Sequence, residues 1–206
     1  MDGDDERRGP WIIRRSRRAY DNPWIGVTEH DVTDPNGNPG LYGVCHMKSF
    51  AVGIVPVDAE GCTWLVGQHR FPRDYYSWEL PEGAGDKTVP PIDSAKRELR
   101  EETGIVANGW HEFLQLDVSN AVTDEIGFGF LAWDLTLGEP EPDSDEQLAP
   151  RRVPFAEALG MALSADIRDA FSQVMLLKVD VLGRRGQLPS PVAEALGYAR
   201  GVVEGS

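Results

Sequence analysis

The chain has 206 residues, of which 41% are hydrophobic and 26% are charged, a balance that excludes an intrinsically disordered protein. Its formal net charge of −14 argues against a nucleic-acid partner, because proteins that bind nucleic acids carry a basic surface. No apolar run approaches the about 20 residues of a membrane span, and the polar N-terminus lacks the apolar stretch of a signal peptide. We therefore expect a cytoplasmic protein without a membrane partner.

Residues 1–10 are polar and are predicted to form a disordered leader. Turn-forming Asn, Asp, Pro and Gly separate the next three β-like runs: Trp11–Tyr20, Trp24–Val32 and Leu41–Met47. We interpret residues 11–47 as an antiparallel β module. Such a module exposes strand edges when it stands alone, so it predicts a homodimer.

Six arginines crowd the N-terminal stretch: Arg7, Arg8, Arg14, Arg15, Arg17 and Arg18. Charge balance with acidic neighbours, a subunit contact and a phosphate clamp are all open interpretations of this cluster. Cys45 and Cys62 match neither a disulfide framework nor a zinc pattern. We interpret both cysteines as structural.

Three apolar runs predict the next strands: Phe50–Val57, Thr63–Phe71 and Trp78–Pro81. The stretch Glu82–Pro91 is rich in Gly and Pro, which predicts a loop. A helix is predicted over Ile92–Thr103, because Ala95 and Leu99 form an apolar stripe and Gly104 is a typical C-terminal cap.

Two more strands are predicted: Trp110–Val118 and Gly127–Leu135. The acidic, proline-rich stretch Leu137–Pro150 predicts a loop. Three helices follow: Phe155–Leu163, Asp166–Leu182 with Ser164 as its N-cap, and one beginning at Ser190-Pro191. Residues 48–206 therefore predict one α+β sandwich domain with C-terminal helices.

Three glutamates on the first predicted helix carry the chemistry. Glu98, Glu101 and Glu102 stand at i, i+3 and i+4, so their carboxylates project from one face. Like charges at this spacing repel one another, and a divalent cation reverses that cost. Clustered carboxylates are the ligands that Mg²⁺ prefers.

The segment around these glutamates resembles the signature box of the Nudix hydrolase family. Eight positions match: Gly83, Arg97, Glu98, Leu99, Glu101, Glu102, Gly104 and Ile105. The flanking stretches Gln68–Phe71, Ser77–Gly83 and Ser119–Glu125 are similar to the branch that acts on ADP-ribose and nucleoside-diphosphate sugars. The resemblance covers residues 45–165 well and the N-terminal hairpins more loosely.

The resemblance implies an α/β/α sandwich with a mixed sheet. It also implies hydrolysis of a diphosphate linkage to a nucleoside monophosphate and a sugar phosphate, with Mg²⁺ or Mn²⁺ as cofactor. Three sets of site residues follow from it: metal ligands Glu98, Glu101, Glu102 and the carbonyl of Glu82; substrate-binding Arg70, Trp78 and Glu79; and catalytic Glu101, Glu125 and Glu146.

The general base must be a group other than the metal ligands, because carboxylates that hold a metal are poor proton acceptors. The resemblance implies that this base lies in the acidic loop Glu139–Gln147. Glu146 is our choice there, with Asp143 and Asp145 as rivals.

One position departs from the box, because Val89 stands where the pattern has a glutamate. That glutamate commonly pairs with the box arginine, so Arg97 needs another partner, for which Asp86 and Asp93 are candidates. Asp93 is also a candidate for the missing helix cap. Val89 therefore leaves open a binding module that senses a nucleotide sugar without cleaving it. The N-terminal arginines leave open an enzyme that acts on an RNA cap or 5′ end.

Overall fold

The computed structural model describes residues 6–140 and 148–198. Its strands are β1 (Glu6–Arg8), β2 (Trp11–Asp21), β3 (Ile25–Thr33), β4 (Pro39–Met47), β5 (Phe50–Pro56), β6 (Cys62–Arg70), β7 (Tyr75–Glu79), β8 (Glu82–Gly85), β9 (Val106–Asp117), β10 (Ile126–Thr136) and β11 (Ala149–Pro154). Its α-helices are α1 (Pro91–Thr103), α2 (Phe155–Ser164), α3 (Ala170–Arg184) and α4 (Ser190–Ala195). A 3-10 turn at Phe71–Arg73 links β6 to β7.

The chain divides into two compact units. The N-terminal unit consists of the described part of Met1–Phe50 together with Asp117–Ile126, and the main unit consists of the remainder. The predicted boundary after residue 47 therefore misses the segment Asp117–Ile126. This segment joins β4 through backbone hydrogen bonds, among them Cys45 N–H to the carbonyl of Val122 at 2.8 Å.

The N-terminal unit is a four-stranded antiparallel sheet in the order β1-β2-β3-β4. The predicted disordered leader is wrong for Glu6–Arg8, which pair with Trp11–Ile13. The turn at Gly9, whose φ is +57°, allows this pairing because glycine adopts such angles without strain. Ile13 and Val32 are buried, whereas β2 is exposed on both faces beyond Ile13.

The main unit contains a mixed four-stranded sheet, β8-β5-β10-β9, and an antiparallel three-stranded sheet, β11-β6-β7. Strands β5 and β10 run parallel, with Val52 opposite Phe128 and Ile54 opposite Phe130. Both are nearly continuous apolar runs, as expected of strands that are covered on both faces. The predicted α+β fold with a mixed sheet and an antiparallel N-terminal sheet is confirmed.

Helix α3 packs closely on the mixed sheet because glycines line its path. A β-carbon at Gly53, Gly127 or Gly129 would press against Met175 or Phe171 of α3. Met175 is fully buried, and it shares a continuous apolar core with residues of α2, α4 and both sheets of this unit. The burial of these apolar side chains is the main contribution to the stability of the unit.

Several element boundaries differ from the sequence prediction. The predicted loop Glu82–Pro91 begins with strand β8, and the predicted loop Leu137–Pro150 ends in β11. Helix α3 begins at Ala170 rather than at Asp166, because the carboxylate of Asp169 accepts the Ser172 N–H at 2.6 Å. Ser164, predicted as its cap, is instead the last residue of α2.

Within the residues that the structure describes, no helix is long and apolar enough to cross a membrane. Both cysteines are free thiols, in agreement with the sequence prediction.

Candidate active site

Helix α1 places the three glutamates as predicted. Its apolar stripe is confirmed, since Ala95 and Leu99 are fully buried. Gly104 ends the helix in the left-handed conformation, with φ of 72°, and its N–H donates to the carbonyl of Arg100 at 2.8 Å. Glu98 and Glu102 are 9% and 3% exposed, so this helix buries two carboxylates, which is costly without a compensating cation or hydrogen bonds.

Arg97 holds two of these glutamates. Its guanidinium lies 2.6 Å from Oε1 of Glu98 and 2.6 Å from Oε2 of Glu101, and it donates to the carbonyl of Ala84 at 2.8 Å. The arginine thus ties the helix to the preceding loop.

Arg97 forms ion pairs with Glu98 and Glu101 rather than with Asp86 or Asp93, the predicted replacements. The hydrogen bonds of Thr88 lower the pKa of Asp86, and the charge of Arg97 adds to this effect. The carboxylate of Asp86 accepts hydrogen bonds from Thr88, and Asp93 forms no side-chain cap on α1. The N-cap of α1 is Pro90, whose carbonyl accepts the Asp93 N–H at 3.0 Å. Val89 is 40% exposed, so an apolar side chain occupies the position of the box glutamate at the surface.

The loop before α1 packs directly on the carboxylates. A β-carbon at position 83 would overlap the carboxyl group of Glu98, so glycine allows this carboxylate to lie against the backbone. The N–H of Glu82 donates to Oε2 of Glu102 at 3.0 Å. Three predicted metal ligands, Glu82, Glu98 and Glu102, therefore lie on strand β8 and helix α1, where this hydrogen bond joins Glu82 to Glu102.

A second group of charges lies beside this loop. Nε of Arg70 is 2.9 Å from Oε1 of Glu79, and its Nη2 pairs with Oε2 of the same carboxylate. Nη2 also lies 3.1 Å from Oε1 of Glu82. Burial lowers the pKa of Arg70, but the hydrogen bond and charge of Glu79 outweigh it and raise the pKa above its ordinary value.

The pKa of Glu82 is raised by its buried position among other carboxylates. Burial raises its pKa well above the ordinary range, and the carboxylates of Asp169 and Glu79 raise it further, against the opposing effect of Arg70. Glu79 is 2% exposed and faces Arg70 rather than open solvent. The predicted substrate-binding roles of Arg70 and Glu79 stay predictions. In the structure, these two side chains form an ion pair with each other.

Ser172, which the sequence analysis missed, connects α3 to the loop. Its fully buried hydroxyl accepts the Leu80 N–H at 2.9 Å and donates to Glu82 at 3.4 Å. Asp169, also missed, caps α3 one turn earlier in the chain and contributes to the raised pKa of Glu82. No local pattern indicates Ser172, because Leu80 and Glu82 lie far away in sequence. Asp169 is a local N-cap by residue type, but its effect on Glu82 depends on tertiary packing.

The remaining predicted residues stand as follows. Trp78 is half-buried, makes an edge-to-face contact with Tyr76 at 5.6 Å between ring centroids, and lies under the guanidinium of Arg151. Glu125 belongs to the segment Asp117–Ile126 of the N-terminal unit, and its catalytic role stays a prediction. Three candidates for the general base lie outside the described residues: Asp143, Asp145 and Glu146.

The donor chemistry of the predicted ligands fits a hard divalent cation. Two buried carboxylates on one helix face and a neighbouring backbone carbonyl are oxygen donors of the kind that such ions prefer. Their arrangement in this structure is held by Arg97 and the loop. Over residues 6–140 and 148–198, no three Asp, Glu, His or Cys side chains converge on one metal position.

The comparison with known protein families agrees with this geometry. Residues 47–174 match the family model described as the NUDIX domain, which covers more than half of the chain. The chain belongs to the Nudix family. Residues 11–45 of this Nudix protein match a second family model, described as the nucleoside diphosphate sugar hydrolase N-terminal domain.

Known relatives cover most of this Nudix chain. An ADP-ribose pyrophosphatase of Mycobacterium tuberculosis is 33% identical over 69% of this chain and 70% of its own length. A CMP-5′-(N-acetyl-N-hydroxy-3-aminopropyl)phosphonate hydrolase of Streptomyces rubellomurinus is 28% identical over 87% and 86%. A crystal structure described as that of an ADP compounds hydrolase shares the fold, with a TM-score of 0.75 and 23% identity over 85% of this chain and 96% of that one.

Proposed function

We propose that this Nudix protein hydrolyses the diphosphate linkage of ADP-ribose or a nucleoside-diphosphate sugar to a nucleoside monophosphate and a sugar phosphate. The observation that carries the proposal is the link between the buried carboxylates of α1 and the loop before it, through Glu82 N–H to Glu102 and Arg97 to Ala84. The match of residues 11–45 to a nucleoside diphosphate sugar hydrolase domain supports this substrate class.

Different side chains of the chain would take different roles in this reaction. Glu98 and Glu102 would hold the divalent cation, Mg²⁺ or Mn²⁺, with support from Glu101 and the carbonyl of Glu82. When bound, such a cation neutralises phosphate charge and lowers the pKa of a water molecule. Arg97 neutralises and orients Glu98 and Glu101.

The proton acceptor must be a group that holds no cation. We assign this role to Glu146, with Asp143 and Asp145 as rivals. Arg70 is half-exposed beside the loop and can donate charge-assisted hydrogen bonds to a phosphate oxygen, provided that it keeps its pairing with Glu79. Glu125 is proposed as a further residue near the substrate.

The experiment is an assay of the purified full chain with ADP-ribose and, separately, Mg²⁺ or Mn²⁺, in which AMP and ribose 5-phosphate are identified as products. Glu102→Gln keeps the size of the side chain but removes a buried charge, and we expect activity to fall at least about 100-fold. Glu112→Gln is the matched control, because Glu112 is exposed on β9. Equal activity of Glu102→Gln and the control would refute the assignment.

Related substrates test how far the proposal extends. The relative from S. rubellomurinus acts on a CMP-linked phosphonate, so a CDP-linked sugar belongs in the same assay beside ADP-ribose. Binding of these compounds without any turnover would favour the sensing module, for which Val89 is the specific observation. Release of pyrophosphate from triphosphorylated RNA would favour the RNA 5′-end alternative.

We further propose that the chain acts as a cytoplasmic homodimer in which the N-terminal unit contributes to the interface. Exposed apolar side chains of that unit support this assembly, and its test is given in the Discussion.

A further inference from the structure

A cavity of about 350 Å³ lies on the other side of α1 from the buried glutamates. Basic side chains of α1 form one wall, and the beginning of β9, including Val106 and Trp110, forms the other. Its volume falls within the range of ligand pockets in proteins, about 300–1,000 Å³. Of the residues that line this cavity, only Arg97 also belongs to the Nudix site described above.

The charge of the cavity is positive, although the chain has a net charge of −14. Lys96 and Arg100 stand one helical turn apart and are both exposed. In the part of the chain that the structure describes, neither side chain forms an ion pair or a hydrogen bond. Arg97 also lines the cavity, but Glu98 and Glu101 already compensate its charge. Over residues 6–140 and 148–198, the cavity therefore presents two cations without a charged partner.

The opposite wall offers a fixed aromatic surface. The indole N–H of Trp110 donates to the carbonyl of Ala107 at 3.0 Å, and Phe130 packs edge-to-face against its ring with centroids 6.3 Å apart. These contacts hold the ring in one orientation. Val106 beside it is 52% exposed, so apolar surface at the mouth of the cavity faces solvent. A planar ring stacked there would cover this surface.

We propose that this cavity binds a phosphate monoester attached to a planar aromatic ring, the chemistry of a nucleoside monophosphate. Lys96 and Arg100 bind the phosphate by charge-assisted hydrogen bonds, and Trp110 stacks on the ring. One pair of cations and one aromatic side chain match a single nucleotide. A polynucleotide would require a longer basic surface and further stacking positions.

Calorimetric titration of the full chain with AMP in a chelating buffer tests this site. The chelator removes the divalent cation of the proposed active site, so the measurement does not depend on hydrolysis. We expect AMP to bind at least about ten-fold more tightly than ribose 5-phosphate, which lacks the ring, and than adenosine, which lacks the phosphate. Failure of the assay on ADP-ribose would leave this result unaffected.

Two variants locate the site. The double variant Lys96→Ala/Arg100→Ala and the single variant Trp110→Leu should each weaken AMP binding about ten-fold or more. Lys178→Ala/Arg185→Ala is the matched control, because it removes the same charge from α3 and the residue after it. Circular dichroism checks that each variant is folded.

Three results of the AMP titrations would overturn the proposal. They are an absence of AMP binding to the unaltered chain, an equal loss in the control double variant, and AMP affinity that the Lys96→Ala/Arg100→Ala variant retains. Tighter binding of a single-stranded RNA with a steep salt dependence would assign the surface to a nucleic acid instead and would also overturn it.

Discussion

At the scale of single residues, Gly83 shows how a box glycine acts in this chain. The atoms that a β-carbon would overlap are the end of the Glu98 side chain, which can move, and not the backbone. We therefore expect Gly83→Ala to fold but to displace the Glu98 carboxylate. A displacement of about 1 Å at a catalytic group lowers activity on the order of 100-fold. The turnover rate with ADP-ribose measures this effect.

Gly160→Ala is the control for that variant. Gly160 lies in α2, and a β-carbon added there would meet no other atom within 4 Å, so alanine has room and favours the helix by about 0.5–1 kcal/mol. Unaltered turnover in Gly83→Ala would show that the position of Glu98 does not limit the reaction.

Ser172 leads to a prediction about stability. In Ser172→Ala, the Leu80 N–H loses its hydroxyl partner in a fully buried position. An unsatisfied buried donor costs about 1–3 kcal/mol, so the free energy of unfolding should fall by that amount. Urea denaturation measures it, with Ser190→Ala as an exposed serine control. Equal stabilities of the two variants would contradict the role of this hydroxyl.

The candidate site was predictable only where its contacts are local. Glu98, Glu101 and Glu102 share a helix face by spacing alone, and the Arg97–Glu101 pair is an i, i+4 contact that the sequence contains. The family pattern points to Asp86 or Asp93 as a substitute, but Glu101 on the same helix is the closer partner of Arg97. Ser172 and Asp169 reach Leu80 and Glu82 through tertiary packing, which no local signal reveals.

At the scale of elements, the start of a helix depends on which side chain accepts a hydrogen bond from the first backbone N–H groups. Ser164 and Asp169 were both suitable N-caps for α3 by residue type. Ile167 is fully buried, and its N–H donates to the carbonyl of Met161. These contacts keep the stretch between α2 and α3 non-helical, so Asp169 rather than Ser164 is the N-cap of α3. The sequence does not predict strand β8, because glycines weaken a strand pattern and the neighbouring strand β5 is distant in sequence.

The contact between Tyr198 and α3 predicts a dependence of stability on pH. The hydroxyl of Tyr198 donates to Oδ1 of Asp180 at 2.6 Å, and its ring covers Gly183. Burial, together with the hydrogen bond to Asp180 and its charge, raises the pKa of Tyr198 to about 12. Because the folded state favours the neutral phenol, its stabilising contribution is complete below pH 10 and is lost as the pH rises toward 12.

Thermal unfolding between pH 9 and about pH 12 tests this dependence. The melting temperature of the unaltered chain should fall more steeply over that range than that of Tyr198→Phe, which cannot ionise. Tyr76 is 52% exposed as a residue and forms no ion pair or hydrogen bond with a carboxylate within the described residues, so Tyr76→Phe should behave like the unaltered chain. The same slope in all three proteins would rule out the Tyr198–Asp180 contact as the cause.

At the scale of the whole molecule, the sequence predicts a β module followed by a Nudix domain, and the N-terminal unit of the structure also includes Asp117–Ile126. Asp117–Ile126 joins the N-terminal unit through the hydroxyl of Tyr42, which donates to the carbonyl of Ala121 at 2.7 Å, and through the pair His46–Asp124. Such contacts between distant segments cannot be inferred from periodicity, because each segment retains an ordinary strand or turn pattern by itself.

The exposed apolar side chains of the N-terminal unit carry the prediction of a homodimer. Trp24 and Leu41 are 73% and 65% exposed, and the outer strand β1 leaves one edge unpaired within the described residues. Light scattering should give twice the chain mass of 22.7 kDa. Trp24→Ser/Leu41→Ser should shift the mass to that of one chain, because it removes apolar contact area that would be buried at about 25 cal/mol per Å².

Leu163→Ser and Leu137→Ser together form the control for this double variant, since these leucines of the main unit are 72% and 65% exposed. The comparison separates a specific interface from general stickiness, because both double variants remove similar exposed apolar surface. Dissociation of both to the same extent would point to nonspecific association. A single-chain mass for the unaltered protein would refute the homodimer, and the unpaired edge of β1 would then need protection by the charged side chains of the sheet itself.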